Sequence, residues 1–151
     1  EVARPKALPS TGQGTQADFW LIEWVQYDIT GKATEIFTSY HNGNDGWYFE
    51  IPEHWKDRIV ISRNDFFNQQ REQRAVIFSL WNGPDKPETP FLTIYKLTGP
   101  NRFEWARMNN RFQIYEDETS IYAASFIPEG WDCGLTEEEL INRFHLTISS
   151  W

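Results

Sequence analysis

The 151 residues fit one domain, and a chain of this length buries roughly 70% of the surface it exposes when unfolded, enough for a core without disulfide or metal staples. A net charge of −8, from 14 Lys and Arg against 22 Asp and Glu, excludes nucleic acid and anionic membrane surfaces as first-choice partners, because both recruit basic clusters. No stretch approaches the roughly 18 consecutive apolar residues of a membrane-spanning helix.

Aromatic residues make up 17% of the chain, so bulky rings must fill much of the core. The densest basic stretch interleaves Arg63, Arg71 and Arg74 with Asp65 and Glu72, which reads as a solvated mixed-charge loop. Cys133 is the single cysteine, so no internal disulfide can form.

In chain order, residues 1–18 hold Pro5, Pro9, Gly12 and Gly14 among Ser, Thr and Gln. They read as a flexible leader, with 19–151 as a single ordered domain. Phe19 to Asp28 is apolar on both alternating faces and rich in β-formers, which predicts a strand covered on two sides. A turn at Thr30-Gly31-Lys32 leads into a second strand from Ala33 to His41, and the two form a hairpin. Asn42 to Gly46 is a concentrated turn signal, and Trp47 to Ile51 follows as a strand stopped by Pro52.

Further strands are expected at Arg58 to Arg63, Arg74 to Trp81, Phe91 to Leu97, Phe112 to Glu116 and Ser120 to Ile127. Asn101 to Met108 reads as a short helix with Phe103 and Trp105 or Ala106 turned inward. The strongest helix signal is C-terminal, where Thr136 and Glu139 have capping-box spacing and Glu137 to Glu139 suit the positive end of the dipole. Leu140, Ile141, Phe144, Ile148 and Trp151 then predict one apolar stripe lying against the sheet.

From Trp47 to Ile61 the order is aromatic strand, Ile51-Pro52, two residues, Trp55, a basic residue and another strand. That succession, with the strands at Val76 to Trp81, Phe91 to Tyr95 and Ile121 to Ala124 and a closing helix, resembles the Mog1/PsbP-like domains of secreted and lipid-anchored proteins of Gram-positive bacteria. Phe19 to His41 lies outside the pattern as an extra N-terminal hairpin. The resemblance implies an α+β fold, an antiparallel sheet flanked by helices, in an exported, extracytoplasmic protein without enzymatic activity. It carries over no catalytic residues.

The residues themselves offer little chemistry. His41, His54 and His145 are too scattered for a zinc pattern, and Cys133 has no partner at metal-ligand spacing. The Asn42 to Gly46 segment hints at an oxygen-ligand calcium loop but lacks the bidentate Glu such a loop needs, so a plain turn is the better reading. No Gly-x-Ser-x-Gly elbow occurs, and Gly12-x-Gly14 follows no strand. Cys133, close to a helix start, is a reactive-thiol candidate, with a small packed residue as the weightier reading. Acids such as Asp45, Glu50, Glu116, Asp117 and Asp132 could pair for glycoside hydrolysis, but among 22 acids some pair reaches a workable separation by chance.

What remains is the aromatic excess. Trp47, Tyr48, Trp81 and Trp131 flank turns and are the candidate ligand-binding set, able to stack on sugars or anchor a protein. Trp20, Trp24, Trp55, Trp105 and Trp151 read as packing residues. The leading expectation is therefore a monomeric, non-enzymatic extracytoplasmic module without metal or cofactor, contacting a partner protein or a cell-wall glycan. A carbohydrate-binding domain is the alternative, and a glycoside hydrolase with an unplaced carboxylate pair the second.

Overall fold

A computed structural model describes residues 2–7, 20–66, 72–108, 110–128 and 130–147. Its strands are β1 (Val2–Ala7), β2 (Trp20–Tyr27), β3 (Ala33–Asn42), β4 (Trp47–Ile51), β5 (Ile59–Phe66), β6 (Gln73–Leu80), β7 (Thr89–Thr98), β8 (Phe112–Glu116), β9 (Ser120–Phe126) and β10 (Phe144–Leu146). Among the described residues they make two antiparallel sheets of five, ordered β1-β2-β3-β4-β10 and β5-β6-β7-β9-β8.

Alternation of side chains decides which face of each sheet is the core. In β4, Trp47, Phe49 and Ile51 are buried while Tyr48 and Glu50 are half-exposed, the period-two pattern of a strand with one covered face. Ile59 and Ile61 of β5, Val76 and Phe78 of β6, Leu92 and Ile94 of β7, and Tyr122 and Ala124 of β9 supply the opposing face. The sheets meet through rings: Phe78 lies 5.9 Å from Tyr40 and 5.7 Å from Phe49, and Tyr122 lies 5.4 Å from Phe144. After Pro52 a 3-10 turn, Glu53–Trp55, folds Trp55 back until it is fully buried against Phe49 and Phe91. Each such ring contributes roughly 1.5–3 kcal/mol of hydrophobic stabilisation.

This architecture corrects the expected α+β fold. The core is made by two sheets facing each other, and the helices are too short to flank a sheet: α1 (Arg102–Trp105) has 4 residues and α2 (Glu137–Arg143) has 7. Trp105 of α1 packs against a small second cluster that holds Ala106, the residue after the helix, with Tyr95, Leu97 and Ile121, whereas Phe103 is exposed.

The long C-terminal stripe is corrected too. The capping box of Thr136 and Glu139 forms, with Thr136 Oγ1 accepting from the Glu139 amide at 3.1 Å. The helix nevertheless ends at Arg143, and Phe144–Leu146 turn extended to pair with Phe49, Tyr48 and Trp47. Leu140 is buried whereas Ile141 is exposed; Ile148 and Trp151 lie outside the described residues. Sheet pairing plus burial of Phe144 outweighs two more helical turns.

At the other end, part of the segment read as leader is a strand. Val2–Ala7 pair with Val25 to Trp20, with Pro5 opposite Ile22. An outermost strand tolerates proline because one of its edges needs no partner. Residues 8–19 lie outside the described residues.

The hairpin of β2 and β3 forms as expected, but it is the middle of the first sheet rather than an appendage, since β3 also pairs with β4. Its turn is fixed by the Asp28 carboxylate, which accepts from the Thr30 and Lys32 amides. Those hydrogen bonds, with one from the Thr30 hydroxyl foremost, hold the carboxyl below its ordinary range.

Candidate functional site

The outer face of the first sheet carries a strip of rings set by strand register. His41 on β3 stands opposite Tyr48 on β4, and Tyr48 stands opposite His145 on β10. Lateral neighbours on one face lie within side-chain contact. The His41 and Tyr48 rings stack at 4.8 Å and 10°, and those of Tyr48 and His145 at 4.8 Å and 23°. Trp24 extends the strip, 6.3 Å from His41 and stacked 5.7 Å from Phe37. Its indole N–H donates to Ser39 Oγ at 3.0 Å.

Two consequences follow for the chemistry of this strip. Both faces of the Tyr48 ring are covered by imidazoles, leaving only its edge, so it offers no face on which a sugar could stack. Burial pushes the His41 pKa below its ordinary value of 6.5, and its Nε2 is buried without a hydrogen-bond partner among the described residues. At the far end His145 Nε2 lies 3.6 Å from the Glu50 carboxylate.

Beyond His145 the first sheet ends among the described residues, where β10 pairs only with β4, and β8 likewise ends the second sheet. Between these two edges runs a groove of about 400 Å³. It is lined by Tyr48 of β4, Phe144, His145 and Leu146 of β10, Ile114 and Tyr115 of β8, and Ile141 of α2. Tyr115 is 44% and Ile141 37% exposed, so apolar surface faces solvent here. Acids stand close to lining residues: Glu116 follows Tyr115 on β8, the Glu50 carboxylate lies 3.6 Å from His145 Nε2, and Glu138 precedes Ile141 by one helical turn, while Arg143 donates to the Glu50 carbonyl at 3.3 Å.

The structure does not bring the four turn-flanking aromatics together. Trp47 is 1% exposed, its ring 5.5 Å from Tyr40 and 5.4 Å from Phe144, which removes it from any surface. Tyr48, the next residue along the strand, points to the opposite face. Trp131 is half-buried against Phe91 at 5.1 Å, and the Arg58 guanidinium lies 4.8 Å over its ring. Trp81 is half-buried beside the same residue, its amide donating to the Arg58 carbonyl at 2.8 Å. Tyr48 alone of the four lines the groove.

Other sequence candidates take structural duties. Cys133 is 4% exposed, and burial pushes its thiol pKa up, opposite to the requirement for a reactive thiolate. Its carbonyl accepts from Trp55 Nε1 at 2.8 Å and sits 2.5 Å from His54 Nε2, which pins the loop before α2. Asp45 is 1% exposed, accepts from Asn42 Nδ2 at 2.8 Å and pairs with Arg74 at 2.8 Å. A carboxylate so engaged by a guanidinium is a turn anchor rather than a calcium ligand. Asp117 accepts from the Thr119 and Ser120 amides, which hold its pKa down within its own turn. Among the described residues no group of three or more His, Cys, Asp and Glu gathers to hold a metal, and no helix is long and apolar enough to cross a membrane.

No family model matches this chain, and neither a curated protein nor a solved structure matches it. His41, His145, Ile114 and Tyr115 were not singled out from sequence as ligand residues. Their signal is a cross-strand one, visible only once the register of β3, β4 and β10 and the gap beside β8 are known.

Proposed function

We propose that this chain is a non-enzymatic binding module that receives an extended segment of a partner protein, apolar with basic flanks, in the groove between β8 and β10. The carrying observation is that two sheet edges border one apolar groove. An edge strand presents unpaired N–H and C=O groups, so an incoming strand gains main-chain hydrogen bonds while its alternate side chains enter the groove. Glu50, Glu116 and Glu138, each beside or one helical turn from a lining residue, on a chain of net charge −8, favour Lys or Arg in that segment. Covered ring faces at Tyr48 and Trp131 make a protein segment the better fit than a glycan. Placement outside the cytoplasm belongs to the same proposal and rests on the resemblance at Trp47 to Ile61; cell fractionation tests that part.

Selection of a random decapeptide library displayed on phage tests the groove. It should return sequences with one or two large apolar residues beside Lys or Arg, and the synthesised peptides should shift the amide resonances of Phe112–Glu116 and Phe144–Leu146. Ile141→Glu should abolish their binding while leaving the fold intact. Peptides that bind the Ile141→Glu variant as well as the wild type would overturn the proposal, as would glycan-array hits that survive the same substitution.

A further inference from the structure

Two imidazoles cover the faces of Tyr48, and their surroundings differ. His41 is not among the residues lining the groove, and burial pushes its pKa below the ordinary 6.5, so it stays uncharged to lower pH than a free histidine. His145 belongs to the lining, with its side chain 37% exposed and its Nε2 3.6 Å from the carboxylate of Glu50, itself 36% exposed. That Nε2 is buried and has no hydrogen-bond partner among the described residues, so a proton taken up there lies on the carboxylate side of the ring. Histidine is the side chain that ordinarily changes charge between pH 5 and 8.

The other charged and titratable groups about this ring come from three elements. β4 supplies Tyr48 and Glu50, β8 supplies Tyr115 with Glu116 after it, and α2 supplies Arg143, with Glu138 one turn before Ile141. Arg143 is turned to the main chain, its guanidinium donating to the Glu50 carbonyl at 3.3 Å. The Glu50 carboxylate is the anion that His145 meets.

Register carries this pair to a bound segment. Thr147 donates its amide to the Gly46 carbonyl at 2.9 Å, and main-chain groups turn to alternate sides along a strand, so His145 bonds to β4 while the N–H and C=O of Leu146 face the open edge. On a strand added at that edge, the residue opposite His145 puts its side chain on the same face, about 5 Å away. A Lys or Arg there lies beside the imidazole and toward Glu50. With His145 uncharged, Glu50 attracts that cation; with His145 protonated, the imidazolium takes the carboxylate and repels the cation.

We propose that protonation of His145 releases the segment bound in the groove, so that the chain holds a basic partner at pH 8 and lets it go near pH 5.5. The inference rests on the groove reading. Two like charges competing for one partly exposed carboxylate change affinity by roughly three- to tenfold. Linkage makes the effect reciprocal: the bound segment holds the proton off His145 by the same factor.

A decapeptide selected on the chain at pH 8, acetylated and amidated so that its own termini do not titrate, tests this by calorimetry. Its dissociation constant should be roughly three- to tenfold larger at pH 5.5 than at pH 8. Within His145→Gln the two values should agree to about twofold, whereas His41→Gln should keep the full ratio. Each variant is compared with itself, so a general loss of affinity cancels. In the wild type, saturating peptide should lower the titration midpoint of the His145 ring resonance by about 0.5–1 in pH, a readout that needs no variant. Equal affinities at the two pH values, tighter binding at pH 5.5, an unmoved midpoint, or a ratio kept by His145→Gln or lost in His41→Gln overturns the inference and leaves the groove reading standing. No binding at either pH overturns both.

Discussion

Replacing Trp47 with alanine tests the register of β4 and, through it, which residues face the groove. The indole is 1% exposed and is bracketed by Tyr40 at 5.5 Å and Phe144 at 5.4 Å. Truncating such a residue costs the lost transfer free energy plus the cavity left behind, about 3–5 kcal/mol. That is a large fraction of the total stability of about 5–15 kcal/mol typical of a domain. With a urea m-value of roughly 2 kcal/mol/M, the unfolding midpoint should fall by about 1.5–2.5 M without a change in slope. Tyr48→Ala is the control. Tyr48 is half-exposed and loses only ring stacking and partial burial, for a cost of about 1–2 kcal/mol. Because side chains alternate, a one-residue slip in β4 would exchange these two results. A Trp47→Ala variant that loses under about 1 kcal/mol while Tyr48→Ala loses more would refute the register, and with it the ring strip and the groove wall.

Three further outcomes follow from single contacts. Thr136→Ala removes the capping hydrogen bond to Glu139 and should lower stability by about 1 kcal/mol, read as an earlier urea midpoint at constant slope; an unchanged midpoint would mean the box adds nothing. His41 has its folded pKa depressed by burial, so the unfolded chain takes up its proton first as the pH falls. Its stabilising contribution is complete above the unfolded value near 6.5 and is lost as the pH drops through the lower folded value; His41→Phe should flatten that part of the Tm profile between pH 7 and 5, and an identical profile would sink the assignment. Cys133, buried with a raised thiol pKa, should resist a disulfide-exchange reagent at pH 7 in the native state and react fully in urea. Fast native labelling would contradict its placement.

Strands were legible wherever the signal was local. Trp47–Ile51 and Phe112–Glu116 fall where their β-formers and bounding turns predict, and the Thr136 to Glu139 capping box forms as spaced. Val2–Ala7 was not legible, because an edge strand that pairs with one neighbour needs no apolar alternation and tolerates Pro5. The fold class failed for a similar reason. Mutual burial of two sheets is a long-range fact, and Phe78 gives no local sign that it will meet Tyr40 and Phe49 from the other sheet. At the candidate site, Tyr48 stood out by residue type, but Trp47 beside it had the same local signature and the opposite facing. Only register separates them.

The groove depends on the very segment where periodicity misled. Leu140, Ile141 and Phe144 have helical spacing, and a helix continued through Phe144 would carry His145 and Leu146 away from β4. Instead Phe144 enters the core beside Trp47 and Tyr122, and His145 completes the stack on Tyr48. This switch from helix to strand creates a short edge at β10 that stops beside β8 without pairing to it. Three residues cannot close the sandwich on that side, so the apolar walls of Ile114, Tyr115 and Ile141 stay open. An incoming strand would continue the sheet from where Phe144–Leu146 leave it, which is why the binding reading rests on this edge rather than on the aromatic residues most visible in the sequence.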